Sequence, residues 1–216
     1  MIFLEKIIDK ESFFEIIAKR RSIRVFSNDP VPKADLERIL AAATFAPSGT
    51  NSQPWHFVVV KTESIRKKMA AAVEAKMDEI LTWPETADKV RRINAYRRSF
   101  TFFGDAPVVI AVLGKDHQTI VRKTIESHGV VQSRNRPSSA HLSVAAAIQN
   151  LLLFASVLGY GTCWMTGPLI AAQEIEEILG VEEPWYLSSV VPLGRPAEHP
   201  VIRSRKGLDK VVTWMP

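Results

Sequence analysis

Arg20-Arg21-Ser22-Ile23-Arg24 packs three guanidiniums and a hydroxyl into five residues. Arginine's planar fork matches phosphate oxygens two at a time, and a serine hydroxyl adds a donor. If a helix entering from the N-terminal side continues through this stretch, Arg20 and Arg24 share a face. Such a set fits a phosphate monoester; it fits equally a solvated basic helix end lying against a C-terminal dipole. A second stretch, Pro47-Ser48-Gly49-Thr50-Asn51-Ser52-Gln53-Pro54, is polar between two prolines and carries no charge. The prolines fix φ and remove donors, and Gly49 permits a sharp turn or a close approach. That loop suits hydrogen bonding to something polar held against it, or simply links a helix to a strand. A third, Gly161-Thr162-Cys163-Trp164-Met165-Thr166-Gly167-Pro168, reads as a strand closing in a tight turn. A fourth, Arg203-Ser204-Arg205-Lys206, is basic and lies in the tail.

Other chemistry is missing from the sequence. It holds no G-x-S-x-G, no H-E-x-x-H and no G-x-x-x-x-G-K-[ST]. The histidines at 56, 117, 128, 141 and 199 show no metal-ligand spacing, so no metal is expected. Gly159-x-Gly161 follows a helix and precedes a strand, the reverse of a dinucleotide-binding glycine loop. Cys163, the only cysteine, sits among apolar residues and reads as buried filler. It forms no internal disulfide, and a reducing cytoplasm is the expected setting.

These stretches need elements to position them. Ser12 is a candidate cap for a helix through Phe13, Phe14, Ile16 and Ile17 that runs on into Lys19-Arg20-Arg21-Ser22. Ser27 to Pro32 signals a turn and helix entry, and Leu36, Ile39, Leu40 and Ala43 follow at helical spacing until Pro47. Trp55 to Val60 reads as a buried strand, with the Trp55 and His56 rings structural. Thr62 or Glu63 opens a helix through Ile65, Met69, Val73 and Met77 that Trp83-Pro84 breaks. Residues 85–98 read as helical only in part. Val108 to Leu113 is a near-continuous apolar run, the mark of a central strand. Residues 117–139 read as a mobile excursion or lid. Ser139 or Ser143 starts a long core helix closed by Gly159 and Gly161, and Thr162 to Met165 is strand-like. A short helix over Gln173 to Leu179 ends at Gly180, and Trp185 to Leu193 is the last strand. The apolar tail, 202–216, reads as a cover for a second copy of the chain or for its own core.

The 216 residues suit one domain, and 46% are hydrophobic, enough for a sizeable core. The net charge of +5 and pI of about 9.4 fit an anionic small molecule, an anionic surface or nucleic acid. The basic residues fall in short scattered clusters, which speaks against nucleic acid. No signal peptide is read at the N-terminus, and the Ala145 to Leu158 run is too short to span a bilayer, so no membrane is expected.

The run P-S-G-T-N-S-Q-P-W-H-F-V-V-V resembles the signature loop of the nitroreductase family of FMN-dependent oxidoreductases. Arg20 to Arg24 upstream and Gly161 to Pro168 downstream resemble two further motifs in the family's order, and the likeness runs from Ser12 to about Val212. It implies an α+β nitroreductase-like fold: a mostly antiparallel sheet flanked by helices, in an intertwined homodimer with FMN at the interface. By the same resemblance Arg20, Arg21, Ser22 and Arg24 grip the FMN phosphate and ribityl chain, helped by Arg205 and Arg203. Pro47, Ser48, Gly49 and Asn51 lie against the partner's flavin. Met165, Thr166 and Gly167 lie beside its ring, where a backbone N–H reaches N5 and a small residue helps. The implied activity carries hydride from NAD(P)H through FMN to an electron-poor acceptor, nitroaromatic or quinone, by a ping-pong order. No side chain is named catalytic, since the cofactor carries the redox chemistry. Phe100, Phe102, Phe103 and residues 117–139 are the expected acceptor pocket.

Departures from relatives also show. An ungapped alignment puts Ala75, Glu79 and Phe100 where iodotyrosine deiodinases hold their amino acid with Glu, Tyr and Lys, which speaks against deiodination. Ser99 and Phe102 replace an Asn and a Lys of well-known nitroreductases. The loop's T-N-S-Q spacing sets the chain apart from the flavin-cleaving relatives. Two rivals follow: a specialised flavoenzyme acting on one metabolite, and a non-catalytic module for anions or nucleic acid.

Overall fold

Asp9 opens the first helix, α1 (Lys10–Lys19), by accepting from the N–H groups of Glu11 and Ser12. The sequence points to Ser12 as the cap; instead Ser12 Oγ donates to Asp9 Oδ2 at 2.7 Å. A carboxylate caps with its full charge against the helix dipole, so it outcompetes a hydroxyl in the same turn. These positions come from a computed structural model that describes residues 9–117, 120–129 and 137–215. The helix does not run into the arginine stretch. Arg20 turns to ψ 131°, and the chain leaves α1 extended.

After Pro30-Val31-Pro32, helix α2 (Lys33–Thr44) buries Leu36, Ile39 and Ala43. Strand β1 (Trp55–Val60) follows the polar loop. Helix α3 (Glu63–Leu81) buries Met69, Val73 and Met77 at the expected spacing. Residues 85–98 prove more helical than their polarity indicated, with α4 over Val90–Thr101. Strand β2 is Val108–Gly114. Within 117–139, α5 (Ile120–Ser127) is helical; the rest of the expected lid lies largely outside the described residues. Helix α6 (Ser139–Val157) is capped by Ser138, and β3 is only Gly161–Thr162. The strand-like character expected as far as Met165 survives as one bridge between Met165 and Val190. Helix α7 (Ala172–Leu179) ends on Gly180 at φ 65°, a left-handed C-cap that glycine takes without strain. Strand β4 is Tyr186–Gly194.

The strands order β1-β2-β4-β3, and every pairing is antiparallel. The architecture is therefore α+β with helices on both faces. All of β2 is buried, and its alternation divides the core. Val108, Ile110 and Val112 point to α2 and α6; Val109, Ala111 and Leu113 point to α3 and α7. Helix α6 is long and apolar enough to cross a membrane by length and composition. In this fold Ala147, Ile148 and Leu151 are buried against α2 and the sheet.

Strand β1 is an edge strand and only partly buried, which corrects the fully buried strand expected there. Trp55 is core as expected, whereas His56 is exposed, its ring 5.4 Å from that of Trp185. Phe102 and Phe103 are also corrected. Both are buried in the cluster under α3 rather than facing a pocket. Phe103→Ala is expected to cost about 3–5 kcal/mol, as for other fully buried aromatics. A denaturant midpoint unmoved by that change would return Phe103 to the candidate pocket.

Candidate functional site

Because α1 stops at Lys19, Arg20 to Arg24 are held as an extended edge. Ser22 bridges Thr162 in parallel, and the Ile23 N–H donates to Thr162 O at 2.9 Å. In extended chain, alternate residues share a side. Arg20, Ser22 and Arg24 thus line up by a period of two, not by the helical face the sequence suggested. Ile23 points the other way into the fold, where it lies against Gly161; a Cβ there would sit 2.6 Å from Ile23. Gly161 is small for packing, not for a cap.

The chain after β4 returns along the same edge. The Ala197 N–H donates to Val25 O at 3.0 Å, and Glu198 accepts from the Arg24 and Val25 N–H groups. Arg21 Nη2 donates to Val201 O at 3.0 Å. This return delivers Arg203 and Arg205 to the first cluster. Together Arg20, Arg21, Ser22, Arg24, Arg203 and Arg205 line a cleft of about 520 Å³ that no carboxylate lines. Among the described residues none of the five guanidiniums is ion-paired. Burial, then the neighbouring charges of Arg21 and Arg205, holds Arg20 below the usual guanidinium range. Arg21 Nε is buried without an acceptor among the described residues. Like charges gathered this way cost free energy unless an anion offsets them. The donor set fits the dianionic phosphate of FMN, with two or more forks free to bind it. Sequence reasoning missed Glu198, whose carboxylate fixes this edge; an isolated Glu in a Pro-rich turn gives no signal of it.

From Thr162 the chain leads to the third motif. Cys163 is buried and its thiol is pushed up by burial, as filler would be. Met165 is buried and pairs with Val190 through its backbone; Thr166 is exposed. Gly167 packs under Phe100, whose ring would lie 2.5 Å from a Cβ there. Phe100 in turn pairs with Tyr96, ring centroids 5.8 Å apart. Ser99 Oγ donates to Tyr96 O. With Phe102 buried, the two positions that replace the Asn and Lys present no charge.

The polar loop stands apart. Pro47, Ser48, Gly49 and Asn51 do not line the arginine cleft; Gly49 lies beside Ser139 at the start of α6. Its sharp turn is made by Thr50, Asn51 and Gln53, at φ 55°, 54° and 44°, rather than by Gly49. Left-handed backbone at such residues costs on the order of 1 kcal/mol or more each, and such strain clusters at functional sites. Here Ser48 Oγ accepts from the Gln53 N–H at 3.0 Å, and Thr50 Oγ lies 2.9 Å from His117 Nε2. Among the described residues no cluster of metal-ligating side chains occurs.

Comparison with known proteins adds the following. Residues 17–195 match the model of the Nitroreductase family. Iodotyrosine deiodinase 1 of Rattus norvegicus is 26% identical over 209 residues, 94% of this chain and 69% of that protein. The NADH dehydrogenase of Thermus thermophilus is 28% identical over 202 residues, 91% of this chain and 92% of that protein. Among solved structures, a BluB-like flavoprotein of Clostridium difficile superposes with a TM-score of 0.82 at 31% identity, covering 94% of this chain and 98% of that one.

The contact between Gly167 and Phe100 sets a testable expectation. Gly167→Ala should cost about 1–3 kcal/mol through overpacking, and Phe100→Leu in the same chain should recover most of it. Equal melting temperatures for wild type and Gly167→Ala would show that the ring does not require the glycine.

Proposed function

The chain belongs to the nitroreductase family, and from that premise we propose that it is an FMN-dependent oxidoreductase using a reduced nicotinamide as donor. The acceptor is electron-poor, of the nitroaromatic or quinone class. Donor and acceptor visit one site in turn, a ping-pong order. When bound, FMN supplies the hydride and electron exchange between them. The protein's part is to bind, orient and shield. Arg20, Arg21, Arg24, Arg203 and Arg205 take the phosphate with Ser22 beside them, and the backbone of Met165, Thr166 and Gly167 flanks the ring. One observation carries this reading: five guanidiniums converge on a cleft lined by no carboxylate. The flavoprotein likeness and the donor named for the Thermus relative support it.

The partner is a second copy of the chain. Helix α1 buries none of its residues, leaving Phe13, Phe14 and Ile17 exposed, and Leu208, Trp214 and Met215 are exposed in the tail. Within one chain the Pro47 to Asn51 loop and the arginine cleft lie apart; a second copy supplies the loop to each cleft. Sedimentation should give a dimer that loosens when 208–216 are deleted. A monomer at micromolar concentration would remove the composite site.

The purified protein should be yellow and release about one FMN per chain, as one phosphate cleft per chain requires. Arg20→Ala and Arg205→Ala should each weaken FMN binding on the order of tenfold or more, the scale of a hydrogen bond to a charged group. Colourless protein that also refuses added FMN would overturn the oxidoreductase reading and favour a plain anion-binding module.

A specialised flavoenzyme is the second reading, favoured by the deiodinase and BluB-like relatives. Within it, deiodination is the less supported activity. Glu79 is engaged by Lys76 at 2.8 Å, and Phe100 packs against Gly167. Uniformly poor kcat/KM across a panel of nitroaromatics and quinones would select this second reading.

A further inference from the structure

At the opposite ends of β1 and β2 from the polar loop lies a second cleft, of about 530 Å³, which shares no residue with the arginine cleft. The chain just after β1 and the N-terminus of α3 form one wall, through Lys61, Glu63, Arg66 and Lys67. Thr62, the residue before α3, makes no side-chain cap, so the positive end of the helix dipole is not capped from within. Arg66 is only 7% exposed, yet among the described residues it has no carboxylate within ion-pair distance. Its Nη1 donates to Lys61 O, while its Nε is buried with no acceptor among the described residues. A buried guanidinium normally has its donors filled, because an unfilled one forfeits its hydration without return. Two carboxylates also line the cleft. Asp105 is already shared between Lys67 and Arg98. Glu63 faces Arg66 without pairing to it. Lys61 and Arg66 are thus the cations left over.

We propose that this cleft binds a small metabolite through one oxyanion group, phosphate or carboxylate, held by the Arg66 guanidinium, Lys61 and the α3 N-terminus. The volume exceeds that of a bare phosphate, and Pro30 and Pro107 offer an apolar wall to the rest of the molecule. The site is independent of the flavin reading, since it uses none of the same residues.

The test follows the Arg66 Nε–H cross-peak in ¹⁵N spectra of the full chain, assigned through Arg66→Lys, during titration with inorganic phosphate and, separately, acetate. A saturable shift is expected with at least one of them, and the better ligand identifies the head group. Lys61→Met, an exposed change, should weaken that binding on the order of tenfold. Glu63→Gln should tighten it several-fold by removing a repelling charge, on the order expected for a charge near a protein surface. Arg205→Ala should leave the titration unchanged while weakening FMN, which separates this site from the flavin cleft. The proposal is overturned by no saturable shift with either anion, or by a shift that Lys61→Met and Glu63→Gln leave as it was.

Discussion

Every residue of β2 is buried, and both halves of the core hang from it. One face of the strand seats α2 and α6; the other seats α3 and the segment leading into α7. A strand sealed on both sides cannot slip by one residue without exchanging the two cores. Its register with β4 therefore fixes where β4 ends, and β4's end fixes where the tail begins its return. The arginine cleft is built on that return. The core thus acts on function indirectly, by setting where one distant segment of chain must lie.

The cleft itself is an arrangement that folding alone does not favour. Five guanidiniums repel one another, and Arg20 is already shifted by burial and by that repulsion. Backbone geometry supplies what holds them. Carbonyls of Val201 and Arg203 accept from Arg21 and Arg205, and Glu198 spends its charge on two backbone N–H groups instead of on a guanidinium. The cations stay free to meet a ligand, and an anionic ligand would add to stability by mass action. The same economy recurs at the α3 N-terminus, where Arg66 is buried and incompletely satisfied.

The polar loop shows a different kind of stored cost. Three residues with side chains adopt left-handed backbone within four positions, although Gly49 is next to them. Ser48 accepts from the Gln53 and Asn51 N–H groups, and with a contact to His117 these bonds hold the turn. A loop whose only task was to link α2 to β1 has no need of that strain, which supports the proposal that it belongs to a site shared with a second copy.

Local pattern alone determined much of the chain. Helical spacing located α2, α3, α6 and α7, the apolar run located β2, and Gly180 marked a helix end. The types of residue at Arg20 to Arg24, Arg203 to Lys206 and Pro47 to Asn51 suggested phosphate and hydrogen-bonding chemistry, and the order of the first, the third and Gly161 to Pro168 carried the family. These signals are legible because propensity, capping and periodicity act over a few neighbouring residues. Tertiary structure decided the rest. Arg20 and Arg24 share a side through extended pairing with Thr162, not through a helix turn. Arg205 joins them because Arg21 reaches Val201, 180 residues away in sequence. Phe102 and Phe103 are core while Phe100 covers Gly167, a division that no periodicity in that stretch announced. Each of these depends on backbone partners far along the chain, and the free energy of such pairings is not written into any short window of sequence.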